Sequence, residues 1–286
     1  MSFSPRWTAF LLLAALLIAP GVDGQDSPWS GSAQQRQVAA VPFGPGELKS
    51  YEVRLGRLRV GEGSMEVGAL DYVRGHRSYP LTMRIQGGIP LARVNDRMDS
   101  WLDIQSLNSH RFVQDLHQIR TRRYRHYEFY PEEGRYTQNG VDEELELASL
   151  DPLDDVSFLY YVRTLPLRVG DVYTLDRYFR ESGNPVVVEV VRKDRITVPA
   201  GTFNTVVVRP TIRTSGLFGE GGEAEIHFSD DDQRLMVMMT SRVPVMGSLS
   251  LHLSEYTPGR SLRPFRAGSR AEEAEEYLRE TDRGEG

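Results

Sequence analysis

The chain has 286 residues, a formal net charge of −6 and no cysteine. That length is enough to bury roughly 70–75% of the unfolded chain's surface without covalent staples, and the missing thiols exclude disulfides, thiol chemistry and anchoring through a lipid-modified cysteine. The mildly acidic balance excludes a strongly basic nucleic-acid binder.

Arg6 is followed by an apolar run over 7–19 in which Thr8 is the only polar residue, then by a small, turn-prone segment through Gly24. This run is shorter than the roughly 20 residues a bilayer core requires. Residues 1–24 are therefore expected to be a secretory leader cleaved after Gly24, not a retained anchor, and the mature protein to be periplasmic and not membrane-spanning. Residues 25–40, rich in Ser, Gly and Gln without a hydrophobic period, read as a flexible lead-in.

A single β-rich domain is expected over 41–257. After the turn cluster Pro42-Phe43-Gly44-Pro45-Gly46-Glu47, the residues Leu48, Tyr51, Val53, Leu55, Leu58 and Val60 mark a strand pair bent around Gly56, and Gly61 and Gly63 call for a bulge or tight curvature. Further strands are predicted over 78–86, 98–105, 111–120, 122–130 and 134–138, the last before the turn Asn139-Gly140. A second series follows over 172–179, 185–192, 195–198, 203–213, 223–229, 234–243 and 248–256. Pro210 falls inside a strand pattern, so an edge or a bulge is expected there. A period near two with Gly, Asn and Asp turns between strands predicts a mainly β fold, an antiparallel curved sheet or half-barrel.

Between the two series lies a segment that reads as helix, 151–166. Asp151 is placed as N-cap, Pro152 at the first helical position, Asp154 and Asp155 against the positive end of the dipole, and Pro166 as the stop. Leu153, Val156, Phe158, Leu159, Tyr161, Val162 and Leu165 cover more than one face, which predicts a helix buried on most sides and held as a plug in the sheet. From Pro258 the apolar pattern stops. The charged tail 258–286 is expected to be disordered or a frayed helix, since Tyr277 and Leu278 are the only sizeable apolar residues of 270–283.

No catalytic signature is present: there is no G-x-S-x-G elbow, no cysteine and no Ser-x-x-Lys. Six histidines, His76, His110, His117, His126, His227 and His252, stand scattered without an H-E-x-x-H pattern, so neither metal nor cofactor is assigned. Asp230-Asp231-Asp232 offers oxygen ligands for calcium but reads better as a solvated hairpin turn, lacking the glycine and distal glutamate of an EF-hand loop. The alternation of cations and aromatics over Arg120–Tyr127 reads as a solvated strand face; as a binding patch it would suit an anionic headgroup, polysaccharide or acidic protein surface, not nucleic acid.

Several of these pieces in series resemble the bacterial family called domain of unknown function 3108. They are Pro42 to Glu47 with Gly61-Glu62-Gly63, Asp151-Pro152-Leu153 with Tyr160-Tyr161-Val162-Arg163, Val198 to Phe203, and Ser229-Asp230-Asp231-Asp232 followed by Val245-Met246-Gly247-Ser248. The resemblance spans about 41–256; Asp154-Asp155-Val156 departs from it, small residues being commoner there. It implies an exported envelope protein with a curved sheet wrapped on a helix, broadly similar to lipoprotein-carrier folds, and it transfers no function.

The expected function is non-enzymatic: binding of a hydrophobic or lipid-like ligand on the concave face, with Phe158, Tyr160 and Tyr161 lining the site. Burying about ten methylenes at roughly 0.8 kcal/mol each gives about 8 kcal/mol, near micromolar affinity before binding costs. The alternative is a structural or protein-interaction module of the envelope whose interior is filled by the helix and whose partner is another envelope protein.

Overall fold

The computed structural model describes residues 37–89, 92–118, 121–211, 224–243 and 247–266. The expected leader, most of the lead-in and most of the charged tail lie outside these residues. The first series of strands is β1 (Leu48–Leu55), β2 (Leu58–Val67), β3 (Asp71–Val73), β4 (His76–Ile89), β5 (Ala92–Asp103), β6 (Ser109–Gln118), β7 (Thr121–Tyr130), β8 (Arg135–Gln138) and β9 (Leu145–Glu146). The helix α1 (Asp155–Val162) follows, and then β10 (Val172–Leu175), β11 (Val186–Val198), β12 (Gly201–Thr211), β13 (Ala224–Ser229), β14 (Met236–Val243) and β15 (Gly247–Thr257).

Together the strands form one large antiparallel, curved and unclosed sheet, as the sequence predicts. Its order is β10-β11-β12-β13-β14-β15-β1-β2-β4-β5-β6-β7-β8-β9, with β3 paired to β4. The first strand thus sits in the middle, between β2 and β15, while β9 and β10, the ends of the path, flank α1 in sequence. The helix is the connection between the two edges, and it packs across β4 and β5.

Curvature comes from extra residues in single strands. Register shifts fall at Ser50/Tyr51, Val53/Arg54, Trp101/Leu102, Val190/Arg192 and His227/Phe228, and each such bulge raises the local twist. The shift at Val190/Arg192 lies within one continuous β11, where the sequence reads two strands; the bulge breaks the alternation without ending the ladder. Gly61 pairs with Gly87, and a Cβ on Gly61 would lie 2.2 Å from the carbonyl oxygen of Gln86, so this crossing of β2 and β4 requires glycine. Pro210 pairs with Val188 on one side and lies past the last described β12–β13 pair at Val208, the edge-like position its missing N–H demands. Pro199-Ala200 forms the two-residue turn between the paired residues Val198 and Gly201.

The helix is shorter than expected and capped by a different residue. Asp154, not Asp151, is the N-cap: its Oδ1 accepts from the backbone N–H groups of Val156 (2.9 Å) and Ser157 (3.0 Å), while Ser157 Oγ accepts from the Asp154 N–H at 2.8 Å. That reciprocal pair is a capping box. Asp151 is used elsewhere, accepting from Asn108 Nδ2 at 3.1 Å, and Leu153 runs extended in a bridge to Tyr178. At the other end Arg163 is the C-cap, and the turns Thr164 N–H to Tyr161 O and Leu165 N–H to Val162 O finish the helix before Pro166. A helix of eight residues has no independent stability in water. Burial of seven of its residues is what holds it, as the sequence predicts.

Asp154 itself is fully buried and also accepts from Ser100 Oγ at 2.6 Å. Asp154→Ala removes a cap worth about 0.5–2 kcal/mol and orphans a buried hydroxyl at about 1–3 kcal/mol. The expected loss is about 2–4 kcal/mol, read as a lower urea midpoint at unchanged slope. A loss under about 0.5 kcal/mol would show that the capping box does not hold the helix.

Two aromatic groups fill the concave side with α1. Phe179 contacts Tyr127, Phe129 and Tyr136 with ring centroids 5.2, 5.1 and 5.5 Å apart. Phe43 meets Tyr79 at 5.4 Å and Tyr160 at 5.0 Å, both edge to face, the geometry aromatic quadrupoles favour. The start of the charged tail crosses this end of the molecule: Arg260 N–H donates to Pro45 O at 3.0 Å, and Leu262 packs on the core.

Candidate functional site

Of the three residues expected to line a ligand site, Phe158 and Tyr160 are buried in the packed interior, at 2% and 0% exposure. Tyr161 is half-buried, with the Arg177 guanidinium 4.3 Å from its ring centroid. Consecutive residues of a helix point about 100° apart, so α1 sends Tyr160 inward and Tyr161 outward, and the three do not share one surface. The Tyr160 hydroxyl has no hydrogen-bond partner among the described residues, and neither has that of Tyr79. Burial pushes the Tyr160 pKa well up.

Beside Tyr160 lies a buried ionic cluster that sequence reasoning missed. Arg163 Nη1 donates to Glu47 Oε1 at 2.7 Å and Nη2 to Glu47 Oε2 at 2.9 Å, a two-pronged pairing. Its remaining donors go to the carbonyl oxygens of Arg234, Pro42 and Gln233. Lys49 Nζ also donates to Glu47 Oε1 and lies 4.5 Å from the Tyr160 ring centroid. Burial alone would raise the Glu47 pKa, but the charges of Arg163 and Lys49 outweigh it and hold the group at about 2. Burial, reinforced by Arg163, lowers Lys49 to about 7. The cluster ties the start of β1 to the end of α1 and to the β13–β14 turn. All three side chains are at most 3% exposed, so they form a clamp within the core. Only Glu47 touches a small cavity of about 280 Å³, between Pro42, Leu235 and Phe265.

The acidic residues at the helix start are likewise held in structural contacts. Asp155 accepts from Tyr178 Oη at 3.1 Å and from Gln114 Nε2 at 3.4 Å; burial and the neighbouring Asp154 raise its pKa to about 6. The Asp230–Asp232 stretch is the hairpin turn that the sequence favours. Asp231 Oδ1 accepts from Ser229 Oγ and from the N–H groups of Gln233 and Arg234, while Asp230 pairs with Lys193.

Two larger depressions are open, one of them lined by Ile196 and Met238 as well as by charged residues. One, of about 720 Å³, is lined by Arg192, Arg209, Glu225, His227 and Met238; Glu225 accepts from both arginines and is held at about 2, the hydrogen bond from Arg192 being the main cause. The other, of about 600 Å³, is lined by Glu52, Arg59, Glu62, Arg84 and Gln86. The cation–aromatic stretch of β7 divides: Tyr127 is buried in the core, whereas Arg122, Arg123 and Tyr124 are exposed. Arg120 lies outside the described residues.

The histidines, scattered in sequence, are not all scattered in space. His76 and His110 stack with ring centroids 4.0 Å apart, and both face Asp103. Burial, aided by His76, lowers the His110 pKa to about 4, so its imidazole is neutral at neutral pH. Neither the spacing nor the periodicity of the sequence signals this grouping, because the three residues come from different strands.

Among the described residues, no helix is long and apolar enough to cross a membrane. A search of curated proteins finds no significant match. Two crystal structures are similar over 77% of this chain and 100% of theirs, each with 11% identity. One, with a TM-score of 0.48, is a beta-barrel-like protein of the domain of unknown function DUF1849 from Brucella abortus. The other, with a TM-score of 0.33, is an inferred lipoprotein from Parabacteroides distasonis. The family model for proteins of unknown function DUF3108 matches residues 50–254, which include all the strands from β2 to β14 together with α1, and the chain belongs to that family.

Proposed function

We propose that this is an exported, non-enzymatic protein of the cell envelope whose curved sheet is a filled scaffold, and which acts by contacting another envelope component through its polar outer surface. The observation that carries this reading is the occupancy of the concave side. Val156, Phe158, Leu159 and Tyr160 of α1 are each at most 2% exposed, so the helix uses its apolar surface in packing and lines neither open depression. Export rests on the apolar run 7–19, and the periplasmic location on its shortness.

A second reading, a carrier of a hydrophobic or lipid-like ligand lined by Phe158, Tyr160 and Tyr161, draws support from the unpartnered Tyr79 and Tyr160 hydroxyls. A ligand headgroup beside them would supply the acceptors they lack. Such a ligand would have to displace α1 or pack beside it.

Native mass spectrometry of the protein taken from the periplasm, followed by solvent extraction and lipid analysis, separates the two. The scaffold reading expects the bare mass of the chain and no saturable binding of a fluorescent fatty acid. A stoichiometric lipid in the extract, lost in Tyr160→Ala, would overturn it in favour of the carrier.

A further inference from the structure

We propose that His76, Asp103 and His110 form a binding site for a single divalent transition-metal cation of the zinc class. His76 opens β4, Asp103 closes β5 and His110 is the second residue of β6. These strands are adjacent and antiparallel, with Ser78 opposite Asp103 and Leu102 opposite Ser109, so the three side chains meet at one end of the sheet. Asp103 Oδ2 lies 3.9 Å from His76 Nδ1 and 3.9 Å from His110 Nε2, and one donor atom from each residue falls within 4.8 Å of the others.

Those separations are too long for hydrogen bonds. An ion with bonds of about 2.0–2.2 Å to imidazole nitrogen and carboxylate oxygen holds its donors at most about 4.2 Å apart, and about 3.4 Å apart in a tetrahedral site. Closing the site to tetrahedral spacing therefore takes about half an ångström at each carboxylate–imidazole pair and up to about 1.4 Å between the two imidazoles. The carboxylate is held ready: Asp103 Oδ1 accepts from the N–H groups of Gln105 (2.8 Å) and Ser106 (2.7 Å) and from Ser106 Oγ (3.1 Å). This fixes the group with Oδ2 toward the histidines, the outer support that metal ligands require. His110 and Asp103 are buried, and the movement falls to His76, which is 38% exposed and directly follows the Arg74-Gly75 turn, both of positive φ. Because a metal lies in the plane of the imidazole that binds it, loading turns His76 out of its stack with His110. Bound through Nδ1, His76 keeps Nε2 toward Glu132 Oε1, now 3.7 Å away, a carboxylate–histidine–metal arrangement. Two imidazoles and one carboxylate suit zinc and its neighbours, not calcium or magnesium.

The test is calorimetric titration of the tag-free, EDTA-treated full mature chain with zinc chloride. The expected result is one zinc per chain, with a higher Tm when loaded, and affinity weakened at least about tenfold in His76→Ala, Asp103→Asn and His110→Ala. His117→Ala, outside the cluster, should bind as wild type. If the buried His110→Ala fails to fold, the half-exposed His76→Ala, whose metal-free Tm should be unchanged, decides. No stoichiometric site, or wild-type affinity in His76→Ala, overturns the proposal.

Discussion

Arg163→Ala is expected to cost about 3–5 kcal/mol, much of a total stability of about 5–15 kcal/mol. The reason is what the substitution leaves behind. Glu47 would remain buried with Lys49 alone against it, and the carbonyl oxygens of Pro42, Gln233 and Arg234 would lose a donor. Replacing Glu47, Lys49 and Arg163 together by apolar residues of similar volume should be far milder, because desolvating the ions offsets most of their attraction. Denaturant melts of the single and triple variants check this pair of outcomes, and a triple variant worse than Arg163→Ala would refute the account.

The same cluster makes stability depend on pH, in two directions. An unfolded lysine keeps its proton up to about 10.5, whereas Lys49 in the fold gives it up near 7. Between those values the unfolded state binds more protons, so stability should rise with pH. Glu47 is depressed from 4.5 to about 2; its contribution is complete above 4.5 and is lost as pH falls toward 2. Lys49→Met should flatten the alkaline rise and shrink the acid limb without removing it, since Arg163 still holds the Glu47 pKa down, in melts taken across that range.

The second large effect is expected in α1. Val156→Asp or Leu159→Asp places a carboxylate where the native side chain is at most 1% exposed, and Arg163, the cation at the helix's C-cap, is already committed to Glu47 and to carbonyl oxygens. An unpaired buried charge costs several kcal/mol, enough to prevent folding of a protein near the lower end of ordinary stability. Val172→Asp, on a residue 61% exposed, should stay within about 0.5 kcal/mol. Far-UV and near-UV circular dichroism of the three proteins decides. A folded Val156→Asp variant would mean that the helix is not the plug of the sheet.

The family motifs and the polar turns are properties of short stretches, and short stretches are what a sequence displays. Asn139-Gly140 and Pro199-Ala200-Gly201 form their turns because positive φ and a fixed proline φ are local preferences; Gly140 and Gly201 take φ of 76° and 133°. The apolar residues Val156 to Val162 show α1 to be buried because they cover more than one face. The parity of β1 was also legible: Glu47, Lys49, Tyr51 and Val53 alternate along one row, and all four are buried. Lys49 and Glu47 therefore carried a signal, two charges in register with the core.

Tertiary structure alone decided the partners. Ser157, three residues on, is a local partner of Asp154, but the choice among Asp151, Asp154 and Asp155 also rests on Ser100 of β5 and on Asn108, which draws Asp151 away. That Arg163 meets Glu47, or that His76 meets Asp103 and His110, depends on the order in which strands join the sheet, with β1 held between β2 and β15. Strand periodicity specifies which face a residue takes but not which strand lies beside it. That choice is made by the packing of the whole sheet around α1, which brings distant residues together only after the chain has closed long loops.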